Sequence, residues 1–411
     1  MVGSGIFFTP AEIAQRTGTL SGALTVWLAG GALSLLGALS VAELGAACPR
    51  TGGLLVWLDM AFGPRVAFLF GWTMLAVLVP SSVAFFAGLT AEHLHVVTGL
   101  APRPIALAVI VVVALLNTRA VADAARVQSA TTVARVAGIA ALALLALVLP
   151  PGTTALPTAP ASTGSFGALL GAIVPVLWAY DGWIELTSLA GEVKSPGKTL
   201  PRALLVGTAA VTALYTLMVL GLHRALGDAG LAASRAPGEA LGRAVAGDAG
   251  ARSVSLLVAL STLGACLIGM LSGTRVVAAL GERVPRWRAL GRLSARATPD
   301  VALAVTTVGA LAYQRIAGLG RLAEVFVVGA WPFYALGAVA TMVLRRTQPT
   351  LARPFCTPGY PWVNVAFLLA TLGMLAAFAW QSPRATALSL GVVALGLPLH
   401  AWATRGDSST A

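Results

Sequence analysis

Met1-Val-Gly-Ser-Gly-Ile-Phe-Phe-Thr-Pro10 and Trp178-Ala-Tyr-Asp-Gly-Trp183 are the two stretches whose reading decides the fold. Each sets glycine inside an apolar run, and each heads one half of the chain. Gly-interrupted hydrophobic segments at corresponding positions of two halves mark where a polytopic membrane protein breaks its helices around a solute. Composition agrees. Hydrophobic residues make up 57% of the chain and charged residues 10%, against about a quarter charged in a soluble domain. The mean hydropathy is +0.86. Several apolar runs reach the ~20 residues that cross a hydrocarbon core, so the lipid bilayer is the expected surrounding.

The formal net charge of +12 raises nucleic acid as a partner. The basic residues, however, sit in short segments between apolar runs, where they orient a membrane protein, and no nucleic acid is expected. Cys48, Cys266 and Cys356 are scattered, without a CxxC, and point to neither a disulfide framework nor a metal site. The first apolar run carries no basic n-region and no cleavage site, so it is not read as a signal peptide.

The apolar pattern predicts helices over 4–16, 22–47, 66–97, 103–119 and 127–149. A second set follows at 166–192, broken near 180–183, then 201–222, 253–281, 299–315 and 321–344, with 362–380 and 385–403 at the end. Proline and glycine separate several of them, as at Pro150-Pro151-Gly152, Ser195-Pro196-Gly197 and Pro358-Gly359. The segment 151–165 reads as an exterior loop, and 223–252, rich in Ala and Gly with mixed charges, as the longest polar connection. The larger set of basic residues runs from Arg50 and Arg65 through Arg283, Arg286, Arg288, Arg292 and Arg296 to Arg345, Arg346 and Arg353. That side is expected to be cytoplasmic, and the C-terminus with it.

The second break follows enough apolar residues for a half-helix, whereas only Met1 and Val2 precede the first. If the halves are inverted repeats, the chain is expected to lack its first half-helix. The organisation is then a first repeat over 1–149, a second over 150–344, and two further helices with a tail over 345–411.

Gly3, Ser4 and Gly5 can expose backbone N–H groups at the start of a helix, where a carboxylate is favoured; alternatively they are small residues for helix packing. The carbonyls at the end of the half-helix closing at Trp178, Ala179 and Tyr180 suit an ammonium group. Asp181 adds a carboxylate at membrane depth, either as a ligand or as a cap of the following half-helix. Glu185, four residues on, fits helix packing or a water-filled cavity. Trp178, Tyr180 and Trp183 are either lids over a ligand or core aromatics. Glu43 is expected to form a structural ion pair with a loop Arg, Arg275 to snorkel to the cytoplasmic end, and His93, His95, His223 and His400 to lie at the surface.

GSGIFFTP, Val41-Ala-Glu-Leu-Gly45 with Pro49-Arg-Thr-Gly-Gly53, and Trp178-Ala-Tyr-Asp-Gly-Trp183 through Gly191-Glu-Val-Lys-Ser-Pro-Gly-Lys-Thr-Leu-Pro201 resemble amino acid permeases. Arg353-Pro-Phe-Cys-Thr-Pro-Gly-Tyr-Pro361 adds to the likeness. The superfamily is that of amino acid–polyamine–organocation transporters, and the nearest groups are L-type transporters and bacterial serine/threonine exchangers. The resemblance implies an all-α integral membrane protein with a leucine-transporter-like fold: five plus five inverted-repeat helices and two more, about twelve spans, the first incomplete. It implies that Gly3, Ser4 and Gly5 bind the substrate carboxylate and that carbonyls around Trp178, Ala179 and Tyr180 bind its α-ammonium. Gln128 and Arg135 resemble a Gln…Lys pattern in which the cation stands where sodium-coupled relatives bind sodium. An Arg keeps its charge, so sodium-independent exchange or facilitated transport is expected, with Arg135 otherwise a structural cation.

The expected cargo is a small neutral L-amino acid moved across the cell membrane by alternating access. The alternatives are a cationic amino acid or polyamine paired with Asp181, and a transport-inactive truncated homologue or sensor. An enzyme would need a metal cluster or nucleophile–base pair within the helices; the sequence offers neither, and no cofactor is expected. The loop 98–102 has no Cys, so the disulfide to a companion subunit of some animal relatives is not expected.

Overall fold

Proline and glycine set most helix ends where local chemistry asks for them. The computed structural model describes residues 4–118, 121–149, 166–188, 190–234 and 236–404. A 3₁₀ turn, Ser4–Phe7, leads into α1 (Thr9–Thr17), which starts with Pro10 in its first turn and stops at Gly18, φ +69°. Proline lacks an N–H that the first turn would leave unpaired, and glycine accepts the left-handed C-terminal turn without a Cβ penalty. Proline likewise opens α4 (Pro64–Thr73) and α6 (Pro102–Asn117), and glycine closes α5 (Val79–Thr98) at Gly99.

The remaining helices are α2 (Leu20–Ala47), α3 (Leu54–Phe62), α7 (Val121–Val148), α8 (Phe166–Tyr180) and α9 (Glu185–Ser188). They are followed by α10 (Pro196–Ala233), α11 (Pro237–Arg283), α12 (Asp300–Ile316), α13 (Leu319–Thr347), α14 (Trp362–Gln381), α15 (Pro383–Ala394) and α16 (Gly396–Thr404). No strand occurs among the described residues, and eight of their helical stretches are long and apolar enough to cross a membrane. Two shorter apolar helices, Pro102–Asn117 and Thr132–Val148, accompany them. The chain is therefore an all-α, multi-pass membrane protein.

α2 lies at the centre of one half of the bundle, between α8, α10 and α14. It can do so because Gly30, Gly31 and Gly37 meet Val176 with Tyr180, Thr212, and Phe367 with Trp183 respectively. Without lipid-excluded water to drive association, close backbone approach supplies the dispersion contact that holds such helices together. α5 packs along α11 and α12, forming the other wall.

Several expectations need correction. The stretch 223–252 is not a polar loop: α10 continues through a kink at Gly227 (φ +71°, ψ 165°) to Ala233, and α11 starts at Pro237 and kinks at Ala246 and Gly247 (φ +59°, ψ −147°). Its Ala-rich sequence forms a helical hairpin that folds back on the bundle, and Gln15 of α1 donates from Nε2 to Ala232 O at 2.6 Å. The hairpin also explains why His223 and His93 are not surface residues. His223 is 5% exposed, with Nδ1 2.7 Å from Asp228 Oδ1, and His93 Nδ1 lies 2.9 Å from Glu239 Oε1, which also accepts from Ser255 Oγ at 2.6 Å. Arg275 does not snorkel: it is buried, and its Nη1 donates to Leu271 O at 2.9 Å. α3 was missed because its buried apolar run Leu54–Leu58 is too short to stand out beside membrane spans. The predicted helix 66–97 contains a π turn at Met74–Leu78, and 385–403 divides between α15 and α16.

Gly247 has ψ −147° at positive φ, a region open almost only to glycine, and open space lies around its Cβ position. Gly247→Ala is therefore expected to destabilise the hairpin by about 1–3 kcal/mol through the backbone alone. A thermal melt and limited proteolysis of the purified variant check this; an unchanged melt with no new cleavage would remove the strain assignment.

Glu43, 1% exposed, holds the opposite end together. Arg345 Nε and Nη2 donate to its two carboxylate oxygens at 2.8 and 2.6 Å, the Thr357 N–H donates at 2.8 Å, and Arg353 Nε lies 3.3 Å away. The ion pair expected from the sequence thus joins α2 to both α13 and the 348–361 segment.

Candidate substrate site

Glycine brings the turn before α1 and the end of α8 together. A Cβ on Gly5 would lie 2.8 Å from Ala179 Cβ and 3.0 Å from its Cα, so the start of the first helix and the end of α8 touch through backbone. α8 ends at Tyr180; Asp181 N–H turns back to Trp178 O at 3.2 Å, and Gly182 takes φ +107°, which lets the chain turn before α9. Pro175 inside α8 removes one ladder bond a turn and a half earlier. Tyr215 of α10 donates to Ala179 O at 3.2 Å. The carbonyls of Trp178 and Ala179 therefore each accept one internal bond and retain a second lone pair.

A cavity of about 840 Å³ lies beside this junction, reached by the neighbouring Phe7 and Trp178 and not by Gly5 or Ala179 themselves. Its floor is aromatic and apolar: Phe7, Phe8, Phe85, Trp178 and Val327, with Thr9 among them. Trp178 stands edge-on to Phe85 and Phe326 at centroid distances of 4.9 and 4.7 Å. The upper wall is charged, with Glu12, Arg16, Glu92, His93, Glu239 and Glu324. Arg16 donates to Glu12 at 2.8 Å. The cavity reaches the end of the bundle at Pro102, Ala236 and Ser382, away from Glu43.

Of the residues singled out from sequence, Gly5 and Ala179 meet at the junction, while Trp178 faces the cavity. Gly3 lies outside the described residues, as do the loop 151–165 and the Gln128 side chain. Ser4 opens the 3₁₀ turn that precedes Gly5. Tyr180 and Trp183 are core aromatics: Tyr180 packs on Trp27 and Tyr215, Trp183 on Tyr334 and Phe367. Asp181 does not line the main cavity, and its Oδ1 accepts from Tyr334 OH at 3.3 Å. Tyr334 and Glu185 line a second, small cavity of about 50 Å³ with Ser82 and Ser272. Arg135 is 4% exposed on α7, which packs along α10, the helix whose Tyr215 hydroxyl bonds Ala179 O. Thr9 escaped sequence reading because a threonine before a proline signals a helix start and nothing more.

A family model described as "Amino acid permease" matches residues 1–393. The chain belongs to the amino acid permease family. The permease is 30% identical to the b(0,+)-type amino acid transporter 1 of Rattus norvegicus over 93% of the chain and 80% of that protein. It is 29% identical to the serine/threonine exchanger SteT of Bacillus subtilis (strain 168), over 97% of the chain and 92% of the exchanger. The cystine/glutamate transporter of Homo sapiens is 27% identical over 97% of the chain and 81% of its own length. The permease is thus an amino acid transporter embedded in a membrane, and not an enzyme.

Proposed function

We propose that the permease moves small neutral L-amino acids across the cell membrane as a sodium-independent exchanger or facilitator working by alternating access. The observation that carries this reading is the backbone contact of Gly5 with Ala179 beside an aromatic-floored cavity. There, N–H groups at a helix start and carbonyls at a helix end stand close enough to take the two ends of one zwitterion. The carboxylate goes to Gly3, Ser4 and Gly5, and the ammonium to the carbonyls of Trp178, Ala179 and Tyr180. Arg135, a buried cation on the helix packed along α10, supports sodium independence, since a fixed positive charge inside the bundle disfavours another. The name of the serine/threonine exchanger favours small, neutral cargo.

The two breaks fit inverted repeats over 1–149 and 150–344, followed by 345–411. Arg286 lies 4.7 Å over the ring of Trp402, so α16 ends beside the Arg283–Arg296 cluster, which supports a cytoplasmic C-terminus. The main cavity then opens outward. Cys48 and Cys266 are buried, and Cys356 is exposed beside Arg353, on the side read here as cytoplasmic.

Counterflow in proteoliposomes tests the reading. Labelled serine or alanine should enter vesicles preloaded with neutral amino acid at the same rate with sodium or choline outside. Sodium dependence, or no flux of any neutral amino acid, would overturn it.

One observation favours a second reading. Asp181 keeps a carboxylate at the break, held by Tyr334, and can pair the charged end of a cationic amino acid or polyamine. Under that reading, Asp181→Asn lowers uptake of arginine or lysine about tenfold to hundredfold, the size of one lost charge-assisted hydrogen bond. Neutral uptake should stay near wild type. Equal loss for both classes would instead make Asp181 a cap of the following half-helix.

A further inference from the structure

We infer that Thr9 is a specificity-determining residue whose hydroxyl hydrogen-bonds the side chain of a hydroxylated amino acid, selecting serine and threonine over alanine and valine. The inference rests on the proposed neutral amino acid cargo and deepens it.

Thr9 is fully buried, and its Oγ1 has no hydrogen-bond partner among the described residues. Elsewhere in this protein, helical threonines return their hydroxyl to the carbonyl four residues back, as Thr17, Thr73, Thr90 and Thr208 do at 2.7–2.9 Å. Thr9 is the first residue of α1, and the carbonyl four residues back, Gly5 O, accepts the N–H of Phe8 at 3.2 Å. That carbonyl keeps a second lone pair, yet the Thr9 hydroxyl makes no bond to it. It points to the junction: Oγ1 lies 3.5 Å from the position a Cβ would take on Gly5, which is itself 2.8 Å from Ala179 Cβ. The residue also lines the main cavity beside Phe7, Phe8 and Trp178.

The geometry selects the substrate's side chain over its charged ends. The α-carboxylate and α-ammonium take the N–H groups before Thr9 and the carbonyls at the end of α8. Thr9 follows Gly5 by four residues and its Oγ1 turns back toward it, within reach of a short side chain on a zwitterion held at that turn. Phe8, Phe85 and Trp178 surround that position with apolar surface, where an unmatched hydroxyl is strongly disfavoured. A site that keeps such a group unpaired discriminates by completing the bond with one substrate and not another.

The test compares wild type, Thr9→Val and Thr9→Ser in proteoliposomes, with KM and maximal rate for serine, alanine, threonine and valine. Wild type should prefer serine over alanine and threonine over valine. Thr9→Val, which keeps the shape and removes the hydroxyl, should cut both preferences about tenfold through KM, with maximal rates for alanine and valine little changed. Its melting temperature should hold or rise, because no bond within the protein is lost. Thr9→Ser should keep the preferences. Unchanged serine-to-alanine and threonine-to-valine ratios in Thr9→Val overturn the inference while leaving the transport reading in place. A lowered melting temperature with equal losses for all four substrates overturns it as well, making Thr9 a folding residue. Failure of wild type to move any amino acid removes the reading beneath it.

Discussion

Glu43→Ala lowers the stability of the permease by about 3 kcal/mol, at the low end for breaking a buried ion pair. The carboxylate is 1% exposed and accepts from Arg345 twice and from the Thr357 N–H, with Arg353 at 3.3 Å. Without it two guanidinium groups face one another across a buried gap, and α2, α13 and the 348–361 segment lose their common anchor. The cost stays at the low end because Arg345 is still stacked 3.8 Å over the ring of Tyr360, and Arg353 still donates to Leu344 O and Gln348 O at 2.9 Å. Glu43→Gln keeps the shape and loses the charge, and should fall between, at about 1–2 kcal/mol. Thermal melts in detergent rank the three proteins. A Glu43→Ala melt equal to wild type would mean that water or the remaining backbone acceptors satisfy both arginines.

Gly5→Ala reduces transport by about a hundredfold, the loss that a displacement near 1 Å brings to a positioned reaction centre. The added Cβ meets backbone as well as side chain, Ala179 Cα at 3.0 Å and Cβ at 2.8 Å, so no rotamer change relieves it. The two segments must separate, and under the proposed reading the N–H groups and carbonyls that would hold one zwitterion then miss its ends. Overpacking costs about 1–3 kcal/mol, so the protein should still fold and reach the membrane. Gly45→Ala is the control, since its Cβ would make only ordinary contacts at 3.6 and 3.8 Å with Leu200 and Trp57. Counterflow and size-exclusion profiles of both variants decide the matter. Wild-type flux in Gly5→Ala would show that the close approach is not used.

Helix boundaries were legible wherever a local rule applied. Pro10, Pro64 and Pro102 begin helices and Gly18 and Gly99 end them, because proline and glycine act through their own backbone and need no neighbours. The break at Trp178–Trp183 was legible for the same reason. The hairpin at 223–252 was not. Its alanines and glycines carry no membrane-span signal, and it is helical because it packs back on α1 and α5 through Ala232 and Glu239. α3 was hidden likewise, being a short buried helix that periodicity cannot separate from a loop.

Residue types in the chain alone determined that this is a membrane-embedded, all-α transporter with a helix interrupted at Trp178–Trp183, since hydropathy and glycine placement are properties of single segments. Tertiary structure alone decided which of the marked residues share a place. It set Gly5 on Ala179, turned Trp178 into the cavity and Tyr180 and Trp183 away from it, and set Asp181 on Tyr334. It also left the Thr9 hydroxyl without a partner among the described residues. These outcomes depend on the rotation of one helix against another. That rotation is chosen by close packing across segments more than a hundred residues apart, and no local pattern encodes it.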